Sequence, residues 1–332
     1  MYYKNIRFAE NNRYVFEASL ANSMRLQLFS INEYERFSEQ DLDTILSAMA
    51  ERKYEVSLKD LDQILGKAEE TLIQTVARFS KNPLLEEYFR LPYDFFNLKT
   101  LFKGWLKEEE FEKLKLYPYG VLSRERLERL YRNEEAGVLP PALQQAIKKF
   151  NEKISTRSPF EVDTLWDGFL HEFYLRQSGK LKNDFMTKFH SLKIDLKNLM
   201  NLFRLKSFDK DYKVFDRIFI PGGKLDIYTL SDLFKEDLEI IIGKLAYLDY
   251  AENLKRGLEH YRKENTLSDM ERELENYVLE FLELAGNRIF GYEVIVAYYW
   301  LKKNEIDNLR LLVTAKANSI SKELILSRLR IR

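Results

Sequence analysis

Three acid–amide pairs are the clearest candidates for chemistry in this chain: Asp94 with Asn97, Asp195 with Asn198, and Glu305 with Asn308. Each sits in one pattern: acid, two residues, Asn-Leu, two residues, Leu, then Phe or Val. The copies are DFFNLKTLF (Asp94–Phe102), DLKNLMNLF (Asp195–Phe203) and EIDNLRLLV (Glu305–Val313). On a helix advancing about 100° per residue, the acid lies about 60° from the Asn. The following Leu98, Leu199 or Leu309 falls on the same arc. A polar pair on a packing face is costly unless its hydrogen bonds are met inside the protein. Either acid and amide tie each motif helix to a neighbour or a loop backbone, or they form three equivalent ligand or partner sites. The first reading is preferred, because buried polar pairs usually serve structure and register.

Elsewhere the reactive residue types do not assemble. His171, His190 and His260 are scattered. HEFYL at His171 begins like a zinc-protease helix, but Leu175 stands where a second His is needed. PGGK (Pro221–Lys224) is the only glycine-rich basic turn; Leu225 follows where a phosphate loop needs Ser or Thr, so it reads as a tight turn. No Gly-x-Ser-x-Gly elbow occurs. Glu293 is either a buried functional acid or, the preferred account, a first-turn carboxylate favoured by exposed helix amides. Tyr298, Tyr299 and Trp300 read as core, since no basic stripe accompanies them. The absence of cysteine excludes disulfides and thiolate chemistry. Lys plus Arg and Asp plus Glu balance at 53 each, which argues against nucleic acid as a partner. No catalytic, cofactor-binding or metal residue is expected.

The elements that must position the pairs are helices. Gly and Pro are scarce, 12 and 7 in 332 residues, and the periodicity is helical throughout. Ser57 is expected to cap a helix from Leu58 to about Ser80. SPFE (Ser158–Glu161) and SDME (Ser268–Glu271) carry the Ser-x-x-Glu start signal. These helices are expected to end at Asn82-Pro83, Gly179 and Gly286-Asn287. A motif helix follows each break, interrupted by Pro92 in the first copy. A short amphipathic piece then follows each motif helix: VLSRERLERL, LDIYTLSDLF and SISKELILSRL. FSEQDLDTIL near Phe37 reads as a fourth, displaced by a circular offset of the repeat. The run IFGYEVIVAYYWL (Ile289–Leu301) contains Glu293 and is shorter than the roughly 20 residues of a membrane span. It reads as a buried helix, and the polar N-terminus lacks the apolar core of a signal peptide.

Asn97, Asn198 and Asn308 lie 101 and 110 residues apart. That exceeds the roughly 20–50 residues of a solenoid repeat. The expected fold is all-α, with three similar helical domains at about 1–115, 116–220 and 221–332, closed with pseudo-threefold symmetry into a funnel or socket.

YDFFNLKTLFKG (Tyr93–Gly104), PGG (Pro221–Gly223) and above all the block from Phe290 to Leu329 resemble the C subunits of bacterial and archaeal V-type (A-type) ATPases, a family related to the d subunit of eukaryotic V-ATPases. The resemblance covers nearly the whole chain. It implies a non-catalytic rotor component on the cytoplasmic face of the membrane, without cofactor or membrane span. Such a component sits on the proteolipid ring, receives the D and F subunits of the central stalk, and transmits rotation that couples ATP turnover to H⁺ or Na⁺ transport. The motif residues are then fold determinants, and the partner-binding side chains stay unassigned. A helical scaffold in another complex, or a helical enzyme using the motif acids, are the competing expectations. If the pairs are buried ties, Asn198→Leu lowers stability by about 1–3 kcal/mol through stranded hydrogen-bond partners. Thermal unfolding checks this, and unchanged melting would exclude a buried tie.

Overall fold

In a computed structural model the described residues are 2–8, 11–57, 60–154, 158–208, 212–264 and 266–331. Among them the chain is all-α. Sixteen α-helices run in order: α1 Val15–Arg25, α2 Ile31–Glu39, α3 Leu42–Glu51, α4 Leu61–Phe79, α5 Pro83–Leu106, α6 Arg124–Tyr131, α7 Pro141–Lys153 and α8 Pro159–Lys180. They continue with α9 Asp184–Ser207, α10 Tyr212–Ile218, α11 Ile227–Phe234, α12 Leu238–Lys244, α13 Ala251–Glu264, α14 Ser268–Gly286, α15 Glu293–Ala317 and α16 Lys322–Leu326. The helices α5, α9 and α15 carry the three acid–Asn pairs.

Two compact units divide these elements. The first comprises residues 1–79, 183–192 and 235–332. Its centre is α15, which packs against α1, α4 and α14, while α13 pairs with α14. Val294, Ile295, Val296 and Ala297 are all fully buried, so this first part of α15 is apolar on every side. A helix buried all round is the expected fate of such a run, and no described helix is long and apolar enough to cross a membrane. Trp300 closes the same core against Phe189, ring centres 5.5 Å apart, and against His190 at 6.2 Å.

The second unit comprises residues 80–182 and 193–234. Here α5 lies against α8, and α7 and α10 pack on α8. Trp166 on α8 is buried and lies 5.4 Å from Phe102 and 5.6 Å from Phe150, joining α5, α7 and α8 through three rings. Such aromatic contacts contribute about 0.5–1.5 kcal/mol each beyond their buried area. Ion pairs line the α5–α8 seam, with Lys103 to Asp163 at 2.9 Å and Lys99 to Asp167 at 2.9 Å. Lys197 of α9 reaches the other oxygen of Asp167 at 3.0 Å.

Local start signals explain several boundaries. Ser158 accepts the Glu161 N–H at 3.2 Å with Pro159 in the first turn of α8. Asn82 accepts the Leu84 N–H at 2.9 Å ahead of Pro83 in α5. A proline at that position gives up an amide that would be unpaired anyway. The end of α14 at Gly286 matches its sequence signal, and α8 runs one residue past Gly179.

Four expectations need correction or fall outside what is described. The interruption at Pro92 does not occur, since α5 continues through it. Its neighbours Leu91, Tyr93 and Phe95 are all buried, and that packing outweighs one lost helical hydrogen bond. Ser268 does not cap α14 but is its first residue, and its N–H donates to Thr266 Oγ1 at 3.3 Å. FSEQDLDTIL is not one piece, because Asp41 caps a new helix by accepting the Thr44 N–H at 2.8 Å. The proposed start at Leu58 lies outside the described residues, and α4 is described from Leu61.

One glycine contact sets a helix spacing. A Cβ on Gly257 of α13 would lie 2.7 Å from the Met270 Cα of α14, so the two backbones pass where no side chain fits. Gly257→Ala gains about 1 kcal/mol of helix propensity but must push the helices apart. The expected net loss is about 1–2 kcal/mol, to be read by denaturant unfolding.

Candidate functional site

The three pairs occupy one local arrangement, built from a motif helix and a loop arm. Asp94, Asn97, Asp195, Asn198, Glu305 and Asn308 are all buried, as are Leu98, Leu199 and Leu309 beside them. In the first clamp Asn97 Nδ2 donates to the Tyr117 carbonyl at 2.9 Å, and its Oδ1 accepts the Tyr117 N–H at 2.8 Å. A few residues on, Asp94 accepts the Val121 N–H at 2.7 Å and the Leu122 N–H at 3.1 Å. In the second, Asn198 makes the same two bonds to Ile220, at 2.8 and 3.0 Å. Asp195 then accepts the Leu225 N–H at 2.9 Å.

The third clamp repeats the geometry with arms from distant parts of the chain. Asn308 Nδ2 donates to the Arg330 carbonyl at 2.8 Å and Oδ1 accepts the Arg330 N–H at 3.1 Å. The acid arm is Phe29, whose N–H donates to Glu305 Oε2 at 2.6 Å. Tyr54 Oη and Lys302 Nζ donate to Glu305 Oε1 at 2.7 and 2.6 Å. A capping residue follows each acid-bound amide. Ser123 accepts the Arg126 N–H at 3.3 Å and Asp226 the Thr229 N–H at 2.7 Å, while the Ser30 N–H is held by Glu33 at 2.9 Å. The helices α6, α11 and α2 begin there. They are therefore equivalent, and the sequence assignment of α16 as the partner of α6 and α11 is corrected. The helix α16 precedes the Asn-bound residue Arg330, as α10 precedes Ile220.

Glycine explains why two of the acids are aspartates. A Cβ on Gly120 would lie 2.3 Å from Asp94 Oδ1, and one on Gly223 would lie 2.0 Å from Asp195 Oδ1. Loop backbone presses directly on those carboxylates. The PGG turn thus serves to seat the loop, and Gly222, at φ +110°, adopts a conformation that side chains disfavour. The third clamp has no glycine there. Glu305, one methylene longer, spans to Phe29 and Tyr54 instead.

The chemistry of this arrangement is recognition of backbone. A carboxamide that binds both the N–H and the C=O of one residue fixes the loop's position whatever its side chain. Among the described residues no group of three or more His, Cys, Asp or Glu could hold a metal ion. His171 is on α8, and burial pushes its imidazole down to about 3, so it is neutral at physiological pH. Glu293 begins α15, as the helix-start account expects, but it is also buried. Burial raises its carboxyl, and one oxygen accepts Asn183 Nδ2 at 3.3 Å.

The sequence does not display the loop partners Tyr117, Ile220 and Arg330, nor Tyr54, Phe29 and Lys302 around Glu305. The one available signal was the Pro-x-Gly-x-Leu stretch shared by Pro118–Leu122 and Pro221–Leu225.

Burial pushes the Asp94 carboxyl up to about 6, against the pull of the Val121 and Leu122 amides and the Arg90 and Arg126 guanidiniums. The folded state then binds more protons than the unfolded one between about pH 4 and 6. Its stabilising contribution is full below the unfolded value and is lost as pH rises through about 6. The stability margin of the parent chain over Asp94→Asn should shrink by up to ~3 kcal/mol between pH 4 and pH 7. Denaturant unfolding at both pH values measures it; a margin that grows with pH would contradict the assignment.

Residues 18–328 match the family model described as the ATP synthase (C/AC39) subunit. The chain is 22% identical to the C subunit of the V-type sodium ATPase of Enterococcus hirae, covering 94% of this chain and 96% of that protein. It is 24% identical to the C subunit of the A-type ATP synthase of Methanosarcina mazei, covering 95% and 92%. With the corresponding A-type C subunit of Methanocaldococcus jannaschii the identity is 25%, over 85% of this chain and 74% of that one. The all-helical chain with its three motif helices therefore belongs to the C/AC39 family of ATP synthase subunits.

Proposed function

We propose that this protein is the non-catalytic central-rotor component of a V-type or A-type ATPase. It links the proteolipid ring of the membrane domain to the D and F subunits of the central stalk, on the cytoplasmic face. In this role it carries rotation between ring and shaft, so that ATP hydrolysis or synthesis is coupled to ion transport. The observation that carries this reading is the family match from residue 18 to residue 328.

The structure supports a mechanical role in physical terms. A part that passes torque must not shear internally, and polar ties resist sliding better than apolar contacts because their geometry is directional. Each motif helix holds its loop through the paired bonds of one carboxamide and through an acid a turn away. We infer that the nine motif residues, Asp94, Asn97, Leu98, Asp195, Asn198, Leu199, Glu305, Asn308 and Leu309, are fold determinants of three repeated units at about 1–115, 116–220 and 221–332. Neither the motif acids nor the histidines are assigned a catalytic role in this proposal.

The test is a pull-down with the tagged full-length chain from detergent-solubilised membranes of its source. Recovery of the proteolipid ring together with the D and F subunits is expected; recovery of neither defeats the rotor reading. If polar and charged loops grip the ring, raising salt from about 50 to about 500 mM should weaken ring binding at least several-fold. A salt-insensitive complex would mean a mainly apolar grip.

A further inference from the structure

Residues 2–8 form no helix of their own, and two carboxylates hold their backbone. The N–H groups of Tyr2, Tyr3 and Lys4 all donate to the Asp249 carboxylate, at 2.9, 2.8 and 3.2 Å. Successive amides turned toward one anion form a nest, and hydrogen bonds to an ionised acceptor are the strong ones. Further along, the Arg7 N–H donates to Asp184 Oδ2 at 2.7 Å. Lys188 pairs with that same oxygen at 3.1 Å and also donates to the Asn5 carbonyl. Both attachment points lie in the first unit, where Asp249 precedes α13 and Asp184 begins α9. Rings fill the space beneath. Tyr3 is fully buried with its ring centre 6.4 Å from that of Tyr250, which lies 5.9 Å from Tyr277. Phe8 stacks on Phe185 at 5.9 Å, and Phe185 stacks on Phe281 at 5.2 Å.

We propose that residues 2–8 are a conformational latch: they seat through Asp249, Asp184 and the Tyr3 ring, and they open as one local unit that uncovers Tyr250 and Phe185 while the helices stay folded. The balance of forces favours local opening. Tyr3 is the one buried side chain of the seven, whereas Tyr2, Lys4, Asn5 and Arg7 are exposed. Ordering each residue of a terminus costs conformational entropy, and such segments stay in place only where they are tied down. Here the ties are few and concentrated, with three of them on a single carboxylate. Losing Asp249 removes all three together, so release is a switch rather than a gradual fraying. The surface beneath does not need the strap for its own packing. Phe185 keeps Phe281 and Phe189, and Tyr250 keeps Tyr277, all from elements of the same unit. An open latch therefore presents preformed aromatic faces flanked by two carboxylates.

The experiment is amide hydrogen exchange on the full chain and on its Asp249→Ala variant. In the variant the Tyr3 and Lys4 amides should exchange about ten-fold faster or more, and the Arg7 amide, bound to Asp184, should speed up with them. The amides of Phe281 and Arg330, in the same unit, should change less than about two-fold. Tyr3→Ala, which removes the plug and leaves the receiving surface intact, should give the same pattern. A soluble paramagnetic agent should broaden the ring signals of Phe185 and Tyr250 more in both variants than in the parent, and leave that of Tyr299 on α15 unchanged. Unchanged exchange at Tyr3 and Lys4 would overturn the proposal, as would an Arg7 amide that ignores the loss of Asp249. A uniform rise across the unit, or unfolding of both variants, would make the segment part of the core and overturn it equally. So would rings of Phe185 and Tyr250 that stay shielded.

Discussion

A buried carboxamide that holds the N–H and C=O of a single loop residue is the constraint around which this molecule is organised. Burying Asn97, Asn198 and Asn308 without partners would cost several kcal/mol each. Yet each has donor and acceptor matched by one loop residue, at distances from 2.8 to 3.1 Å. The neighbouring acid then takes an amide immediately before a helix cap. The loop is fixed at two points, and the short helix after it inherits its direction. Helix packing supplies most of the stability, as the buried aromatic and aliphatic groups indicate. The clamps decide where each loop goes.

That division of labour explains what could be read from the chain before its fold was known. The motif helices are legible because Asp94, Asn97, Leu98 and Leu101 repeat at helical spacing, and because Asn82-Pro83 and Ser158-Pro159 mark starts by local chemistry. The loop partners are not legible, since a carboxamide that reads backbone leaves no imprint on the identity of Tyr117, Ile220 or Arg330. Glu305 in place of Asp was a clue of a kind. Its extra methylene reports the absence of a glycine pressed against it, a tertiary fact that no local pattern states. The interruption expected at Pro92 failed for a similar reason. Propensity describes an isolated segment, whereas the buried flanks of that proline describe a folded one.

Two copies of the clamp are closed by continuous turns and the third by segments from positions 29 and 330. This is why α16 resembles α6 and α11 in amphipathic pattern yet stands on the other side of its clamp, and why α2 takes their place.

The placement of the tryptophans carries an optical consequence. Trp105 and Trp166 belong to one compact unit, whereas Trp300 alone represents the other. Half-buried Trp300 lies beside Phe189 and His190 there. Replacing the first two with phenylalanine would leave a single native indole fluorophore, whose emission colour and quenching report solvent entry into just one half of the protein. Melting of that half could then be followed on its own without attaching any dye.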